Sequence, residues 1–277
     1  MSLISKNIKE IKKGGKKIFL RKLITLTNII LTLPMYIFSF VFLLIIYFLQ
    51  PLYLIRIGAL NSSRLGHFAA NTEIYLCEKD AKINVPNQKY LDLFFYEDIS
   101  NKQLAKMWKR ELVVLPGSLI KPAYLLNKLI SKYLTFTKKH IITLLNSDRD
   151  VHNLLDKSKP HLQFTKEEIK LGEKFLNKFG ISRNSKFVCL VVRDDAYLEF
   201  ISPEKDWSYH AYRDFNVNNF LEAAEVLASR GYYVFRMGTK VKNKFESKNK
   251  KIIDYANLEE KSDFLDMYLG ANCNFCV

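Results

Sequence analysis

Cysteine is scarce. The 277-residue chain has four, Cys77, Cys189, Cys273 and Cys276, each in or beside an apolar stretch and without the spacing of a disulfide scaffold. That excludes a small stapled secreted domain and favours a reducing compartment or simple core thiols. Internal repeats and low-complexity tracts are absent, so the chain is neither a repeat array nor a biased linker. Its ten glycines never take the G-x-G-x-x-G spacing of a dinucleotide fingerprint. Charge is also missing from one long stretch, with no Asp, Glu, Lys or Arg between Lys22 and Arg56. His140, His152 and His161 show no partner pattern and read as surface residues.

What is present points to a packed, basic protein. Hydrophobic residues make up 48% and aromatics 13% of the chain, enough for a core and too much for global disorder. The net charge is +15, of which eight Lys/Arg and one Glu in residues 1–22 supply +7, leaving +8 for the rest. The basic character is therefore partly an N-terminal feature rather than a nucleic-acid face. It suits a protein near anionic lipid or one handling phosphorylated ligands. The uncharged run that follows, 23–51, is rich in Leu, Ile and Phe and exceeds the ~20 apolar residues a membrane helix needs. Tyr36, Tyr47 and Tyr53 stand where interfacial aromatics would. The run is too long for a signal peptide and has no small-residue cleavage site after it. The competing reading is a buried core helix.

From Leu52 onward strands and helices alternate. Leu52–Leu60, Tyr90–Tyr96 and Leu112–Leu115 read as strands. Leu65–Leu76 and Asn101–Arg110 read as helices between them, a β-α-β-α-β rhythm that implies a parallel sheet. Lys121–Leu145 reads as a helix with Pro122 in its first turn. Asn146–Pro160 is polar and reads as part of a linker over 146–164. A capping box at Thr165 and Glu168 opens the next helix, which Gly180 ends. Phe187–Val192 is the most apolar strand of this part and reads as buried on both faces. Val217, Phe220, Leu221, Ala224, Leu227 and Ala228 set a helical stripe closed by Gly231. Tyr232–Met237 and Ile252–Ile253 read as strands around a basic loop, Thr239–Lys250. Ser262 caps a helix ended by Gly270, and Asn272–Val277 reads as the start of another strand. This gives a basic segment 1–22, an anchor 23–51, an α/β domain 52–145, the linker, and a second α/β domain 165–277 that reads as incomplete.

Ligands of open parallel sheets bind beyond the carboxyl ends of the strands. One such loop holds Asn61, Ser62, Ser63, Arg64, Gly66 and His67, small and polar at a helix start; the alternative is an ordinary strand-to-helix turn. A second holds Arg193, Asp194 and Asp195 directly after a buried strand, where charge is costly unless paired or used. Arg193 suits a diphosphate, and either Asp suits orienting it or a sugar hydroxyl; the alternative is an internal Arg–Asp pair that fixes the loop. Downstream, Trp207, His210, Tyr212, Arg213 and Asp214 combine aromatics with a potential general base and a cation; the alternative is a cover for the following helix. Cys273 and Cys276 have C-x-x-C spacing, but residues three apart on a strand face opposite ways. The pair therefore reads as core rather than as a zinc knuckle or redox couple.

Several of these stretches resemble a family of bacterial glycosyltransferases. They are RIGALNSSRLGHFAANTEIYLCE (Arg56 to Glu78), ISNKQLAKMWKR (Ile99 to Arg110), VCLVVRDDAYL (Val188 to Leu198), YHAYRD (Tyr209 to Asp214), RGYYVFRMG (Arg230 to Gly238) and SDFLDMYLGANCNFCV (Ser262 to Val277). The resemblance implies a GT-B-like fold: two Rossmann-type domains, the first for the acceptor and the second for the nucleotide sugar, with no bound metal or other cofactor. It also implies that the family continues past Val277. On that basis the expected activity is transfer of a sugar from a nucleotide sugar to a surface polysaccharide or lipid-linked acceptor. Arg193, Asp195, Tyr212, Arg213, Asn61 and Arg64 would contact ligand, with His210, His67 and Asp194 as the catalytic candidates. Nucleic acid is not an expected partner. A basic N-terminus predicts a cytoplasmic start, and a single span would then separate the body from cytoplasmic nucleotide sugars. Pro34 offers a break, so the expectation is a dipping or in-plane anchor with a cytoplasmic body. The rival expectations are a non-enzymatic membrane-tethered scaffold and a different transferase, of pyruvyl or phosphosugar groups.

Overall fold

The computed structural model describes residues 34–143, 149–182, 185–201, 203 and 205–277, with the backbone alone for His210. The basic segment 1–22 and the first part of the anchor, 23–33, lie outside the described residues. The chain is α/β, with two three-stranded parallel sheets. It divides into two compact units. The first is the chain up to Ser100 with Lys109–His161, and the second is Asn101–Trp108 with Leu162–Val277.

In the first unit, β1 (Leu54–Leu60), β2 (Tyr90–Tyr96) and β3 (Val113–Val114) pair in the order β1-β2-β3. Helix α1 covers 34–49, α2 is Leu65–Asp80 and α4 is Gly117–Ile130, whereas α3, Lys102–Glu111, belongs to the second unit as far as Trp108. Alternation along the strands assigns the two faces. Ile57, Leu93 and Phe95 pack with Leu43 and Ile46 of α1 and Ile120 and Ala123 of α4. The opposite face carries Phe94 and Tyr96, which meet Tyr75 and Phe68 of α2 in edge-to-face contacts at 5.1 and 5.5 Å. Gly58 sits on this face because a Cβ there would stand 3.0 Å from the Phe94 ring and from Ile142.

The described part of the anchor run, residues 34–51, packs one side of its helix on the sheet. Among the described residues no helix is long and apolar enough to cross a membrane. Leu43 and Ile46 are fully buried against the sheet, and the Tyr47 hydroxyl donates to Asn127 Oδ1 at 2.6 Å. The other side of α1 remains apolar and exposed, with Phe38 at 77% and Phe48 at 86%. The core-helix reading thus holds for one face of 34–49 and fails for the other.

The expected long helix over Lys121–Leu145 is a correction. α4 starts at Gly117 and ends at Ile130, so Pro122 lies in its second turn. Ser131 Oγ donates to the Lys128 carbonyl and Thr137 Oγ1 to the Leu134 carbonyl, which favours turns over helix. A 3-10 turn follows at Thr135–His140, and Ile142 N then bonds the free edge of β1 at Ile57 O, 2.9 Å. His140 is not a surface residue but fully buried, 2.7 Å from the Ile55 carbonyl through Nδ1. Burial holds its pKa below the usual histidine value, opposed by that backbone bond.

In the second unit, β4 (Phe187–Val191), β5 (Tyr233–Met237) and β6 (Ile252–Ile253) pair in the order β4-β5-β6. Residues 274–277 bond the outer edge of β4 through four backbone bonds, among them Val191 N to Val277 O at 2.8 Å. Helices α5 (Lys166–Asn177) and α8 (Asp263–Asn272) cover one face, packing on Phe187, Cys189 and Phe235. Helix α7 (Leu221–Ser229) covers the other, with Val188, Leu190 and Val234. Phe187–Leu190 is buried on both faces as its composition requires, whereas Val191 is exposed. The capping box at Thr165 forms with both reciprocal bonds, at 3.2 and 2.8 Å. Gly172 lets α5 touch α8, since a Cβ there would fall 2.2 Å from the Tyr268 ring.

The first sheet is centred on a buried ion pair. Arg56 and Asp92 are register partners on β1 and β2, and the guanidinium bonds both carboxylate oxygens at 2.6 and 2.7 Å. Their side chains are 10% and 4% exposed. The Tyr75 hydroxyl of α2 also donates to Asp92, and the Tyr90 ring lies 4.9 Å from the guanidinium carbon. Removing one partner strands the other in a dry interior. Asp92→Ala is therefore expected to cost the first unit about 3–5 kcal/mol. The double change Arg56→Met with Asp92→Ala is expected to cost less than the single one. Urea unfolding followed on this unit checks the order; a double variant less stable than Asp92→Ala would reject it.

Candidate functional site

In the first unit the loop after β1 is short and tied down. Ser62 N bonds Leu60 O at 2.8 Å, and Ser100 N bonds Ser62 O at 2.8 Å, which joins this loop to the one after β2. Ser62 is fully buried and its hydroxyl has no hydrogen-bond partner among the described residues. Arg64 is the extended N-cap of α2, with no side-chain capping bond and no acid in the helix's first turn. The helix's own first turn therefore supplies no negative charge to the positive end of its dipole. Gly66 faces open space, and His67 Nδ1 lies 3.4 Å from Asn71 Nδ2. Asn61, Arg64 and His67 thus share one strand-to-helix turn, at the carboxyl edge of the sheet.

The second unit gathers its charges at the equivalent edge. Short helix α6 (Ala196–Ile201) follows the loop after β4 and includes Ala196 and Tyr197, which the sequence reading placed in the loop. Asp194 Oδ1 accepts from Ala196 N at 3.2 Å and its Oδ2 from Lys242 N at 2.8 Å. Asp195 pairs with Lys242 Nζ at 2.9 Å. Arg193 is oriented by neither aspartate. Its Nε lies 3.3 Å from Asp214 Oδ1, a charge contact without an aligned hydrogen bond, and its side chain keeps 34% exposure. The internal-pair alternative therefore holds for this loop with different partners from those expected. Asp214, which the sequence grouped with the aromatic cluster, is the Arg193 partner.

That cluster forms a 3-10 turn at Ser208–Arg213, and Asp214 follows as its C-cap. Trp207 and Tyr209 stack at 6.2 Å, and the Arg213 guanidinium sits 5.5 Å from the Tyr212 ring. Tyr209 and Tyr212 are exposed. The backbone of His210 lies in this turn; its side chain is outside the described residues.

Arg236 is the functional-edge residue that the sequence reading passed over. It stands on β5, fully buried, with NH1 3.2 Å from Asp254 Oδ1 and NH2 3.8 Å from Asp194 Oδ2. Its Nε and NH2 have no hydrogen bond among the described residues. Asp254 Oδ2 in turn accepts from Phe245 N at 3.0 Å. One guanidinium therefore stands between the carboxylates that tie down the loops after β4 and β5. Lys261 lies nearby in sequence and donates to the Thr239 and Ala256 carbonyls at 2.9 and 2.7 Å; burial lowers its pKa. The available signal was a lone charge inside the apolar run Tyr233–Met237, which needs a partner when buried.

The C-x-x-C pair is a further correction. α8 runs through Gly270 to Asn272, so Cys273 follows a helix end rather than sitting within a strand. The sulfurs of Cys273 and Cys276 lie 3.6 Å apart, and Cys273 is half-buried while Cys276 is exposed. They do not face opposite ways and are not deep core thiols.

No family model, no curated protein and no solved structure matches the chain. The edge geometry of the second unit is testable by itself. Arg236→Met leaves Asp194 and Asp254 without the guanidinium they share, so the loops they hold are expected to loosen. Amide exchange at Lys242 and Phe245 should accelerate by roughly tenfold or more, the equivalent of ~1.4 kcal/mol. Unchanged exchange at both amides would remove Arg236 from this role.

Proposed function

We propose that this chain is a membrane-associated glycosyltransferase of the GT-B kind, moving a sugar from a nucleotide-sugar donor to a surface polysaccharide or lipid-linked acceptor. The observation that carries the reading is the architecture of the two units. Each is a parallel sheet with helices on its faces and polar loops at its carboxyl edge, the arrangement that binds phosphorylated ligands in open α/β sheets. In the second unit Arg193 keeps a third of its side chain open. A planar fork there suits the leaving diphosphate, with Tyr212 and Arg213 exposed for a base or sugar. In the first unit Asn61, Arg64 and His67 at an uncapped helix start suit an acceptor, and His67 or His210 would take the acceptor hydroxyl's proton. Asp194 would act indirectly, since both its oxygens already hold backbone. No metal or cofactor is part of this chemistry.

The exposed side of α1 gives the membrane part of the reading its basis. Phe38, Phe40, Val41, Leu44, Ile45 and Phe48 present apolar surface while Leu43 and Ile46 fix the helix to the unit. Lys121, Lys128, Lys132, Lys138 and Lys139 of the same unit are exposed. Such a helix lies in the plane of an anionic leaflet rather than crossing it. The body would then work on the cytoplasmic side, where nucleotide sugars are.

The rival reading, a non-enzymatic tethered scaffold, draws on the internal pairing of Arg193, Asp194 and Asp195. Titrating the full chain with nucleoside diphosphates and their sugar esters, read through tryptophan fluorescence, separates the two. Binding weakened about tenfold or more by Arg193→Ala fits the transferase; the absence of any nucleotide binding fits the scaffold and defeats our reading. For the anchor, co-sedimentation with vesicles containing anionic lipid should fall about tenfold in a Phe38→Asp, Phe48→Asp variant. If that variant pellets as the parent does, the outward face of α1 is not the attachment surface.

A further inference from the structure

We propose that Glu73, Cys77 and His161 form a binding site for a divalent cation of the zinc class, with Asp80 as the carboxylate that orients His161. Three of these residues come from one face of α2. Positions 73, 77 and 80 are spaced four and three apart, so they stack along one side of the helix. The fourth arrives from the segment that closes the first unit. Asp150 accepts from Leu154 N and Leu155 N at 2.9 and 2.8 Å, fixing a turn, and the chain then returns to α2 at His161. The return is tight: His161 N also donates to Glu73 Oε1 at 3.1 Å.

The donor atoms are already gathered. One oxygen of Glu73, Sγ of Cys77 and a ring nitrogen of His161 lie within 4.8 Å of one another. His161 Nδ1 is 2.9 Å from Glu73 Oε1, and Nε2 is 3.1 Å from Asp80 Oδ2. Tetrahedral zinc holds S, N and O at about 2.0–2.3 Å, which sets neighbouring ligand atoms roughly 3.5 Å apart. Small side-chain rotations reach that spacing. The far ring nitrogen of a zinc-bound histidine donates to a carboxylate in most such sites, and Asp80 stands at that nitrogen.

The donor set also selects the ion. A thiolate and an imidazole disfavour magnesium and calcium, which take oxygen, and favour zinc or its cobalt surrogate. On binding, two protons leave for solvent, the Cys77 thiol proton and the Nδ1 proton of the His161 imidazolium, and His161 then binds through Nδ1 while its Nε2–H stays on Asp80. One thiolate and one carboxylate then neutralise the two charges of the cation, leaving water for the fourth position. Neutrality matters because Cys77 is buried and Glu73 and His161 are mostly so. Without a cation, the same contacts amount to an imidazolium clamped between two carboxylates, and Cys77 has no part in them. The thiol is what separates the two descriptions.

The test uses the full chain stripped with a chelator and titrated with Co²⁺, then with Zn²⁺. One equivalent of cobalt is expected to bind with a sulfur-to-metal charge-transfer band. Zinc is expected to raise the melting temperature by about 5 °C. Cys77→Ser should lose the band and most of the stabilisation, and His161→Gln should weaken both. The chelated melting temperature of Cys77→Ser reports whether that variant folds, and His161→Gln tests the site independently if it does not. Absence of the band in the parent chain overturns the proposal, as does one-equivalent binding with unchanged stabilisation in both variants.

Discussion

A guanidinium cannot lie dry and unpaired inside a sheet, and each half of this protein is arranged around one that does not. Arg56 on β1 meets Asp92 on the neighbouring strand in a bidentate pair. Arg236 on β5 reaches carboxylates from the loops on either side of its strand. The desolvation of a charge of this size exceeds what most single contacts return, so the surrounding groups are constrained to supply it. Tyr75 is held on α2 where its hydroxyl reaches Asp92, and burial beside that carboxylate pushes its pKa far up, keeping it a donor. The two arginines act differently. Arg56 locks strand to strand and helix to sheet, a matter of fold. Arg236 locks loop to loop at the carboxyl edge of its sheet, the edge at which open parallel sheets bind their ligands.

The regular elements were legible where a single local rule decides them. β2 runs from Tyr90 to Tyr96 because seven apolar or paired residues lie between turn formers. The Thr165 box forms because its chemistry is confined to four residues. Legibility failed where a distant partner decides. Nothing local says that His140 belongs under the Ile55 carbonyl, or that residues beyond Ile130 return as an edge segment to β1. The run at 34–49 is apolar all round, and composition alone does not tell which side of such a helix meets protein.

The candidate site shows the same division. That charge follows β4 is plain in the sequence, and that it must be paired follows from burial. Which partner each charge takes is set by loops about 20 and 50 residues further on. Asp214 draws Arg193 away from Asp194, and Lys242 occupies Asp195. Nearest spacing therefore pointed Arg193 to Asp194 or Asp195, whereas its partner is Asp214. Arg236 was hidden for the opposite reason, since one polar letter in an apolar strand looks like noise until its strand is known to be central.

Pairing of this kind does not by itself argue against ligand binding. A loop whose aspartates are held by two backbone amides, at Asp194, and a lysine, at Asp195, is a constrained loop, and constraint is what a phosphate site needs if its cation is to be held ready rather than recruited. In that loop Arg193 is the cation, with a third of its side chain open and only a loosely aligned partner. An anionic ligand would compete with one carboxylate at 3.3 Å, a weaker competitor than the bidentate pair around Arg56. The second unit thus spends its aspartates on holding the frame and leaves one guanidinium exchangeable. The proposed transfer chemistry requires this asymmetry, because a leaving diphosphate must find a cation that is positioned but not saturated.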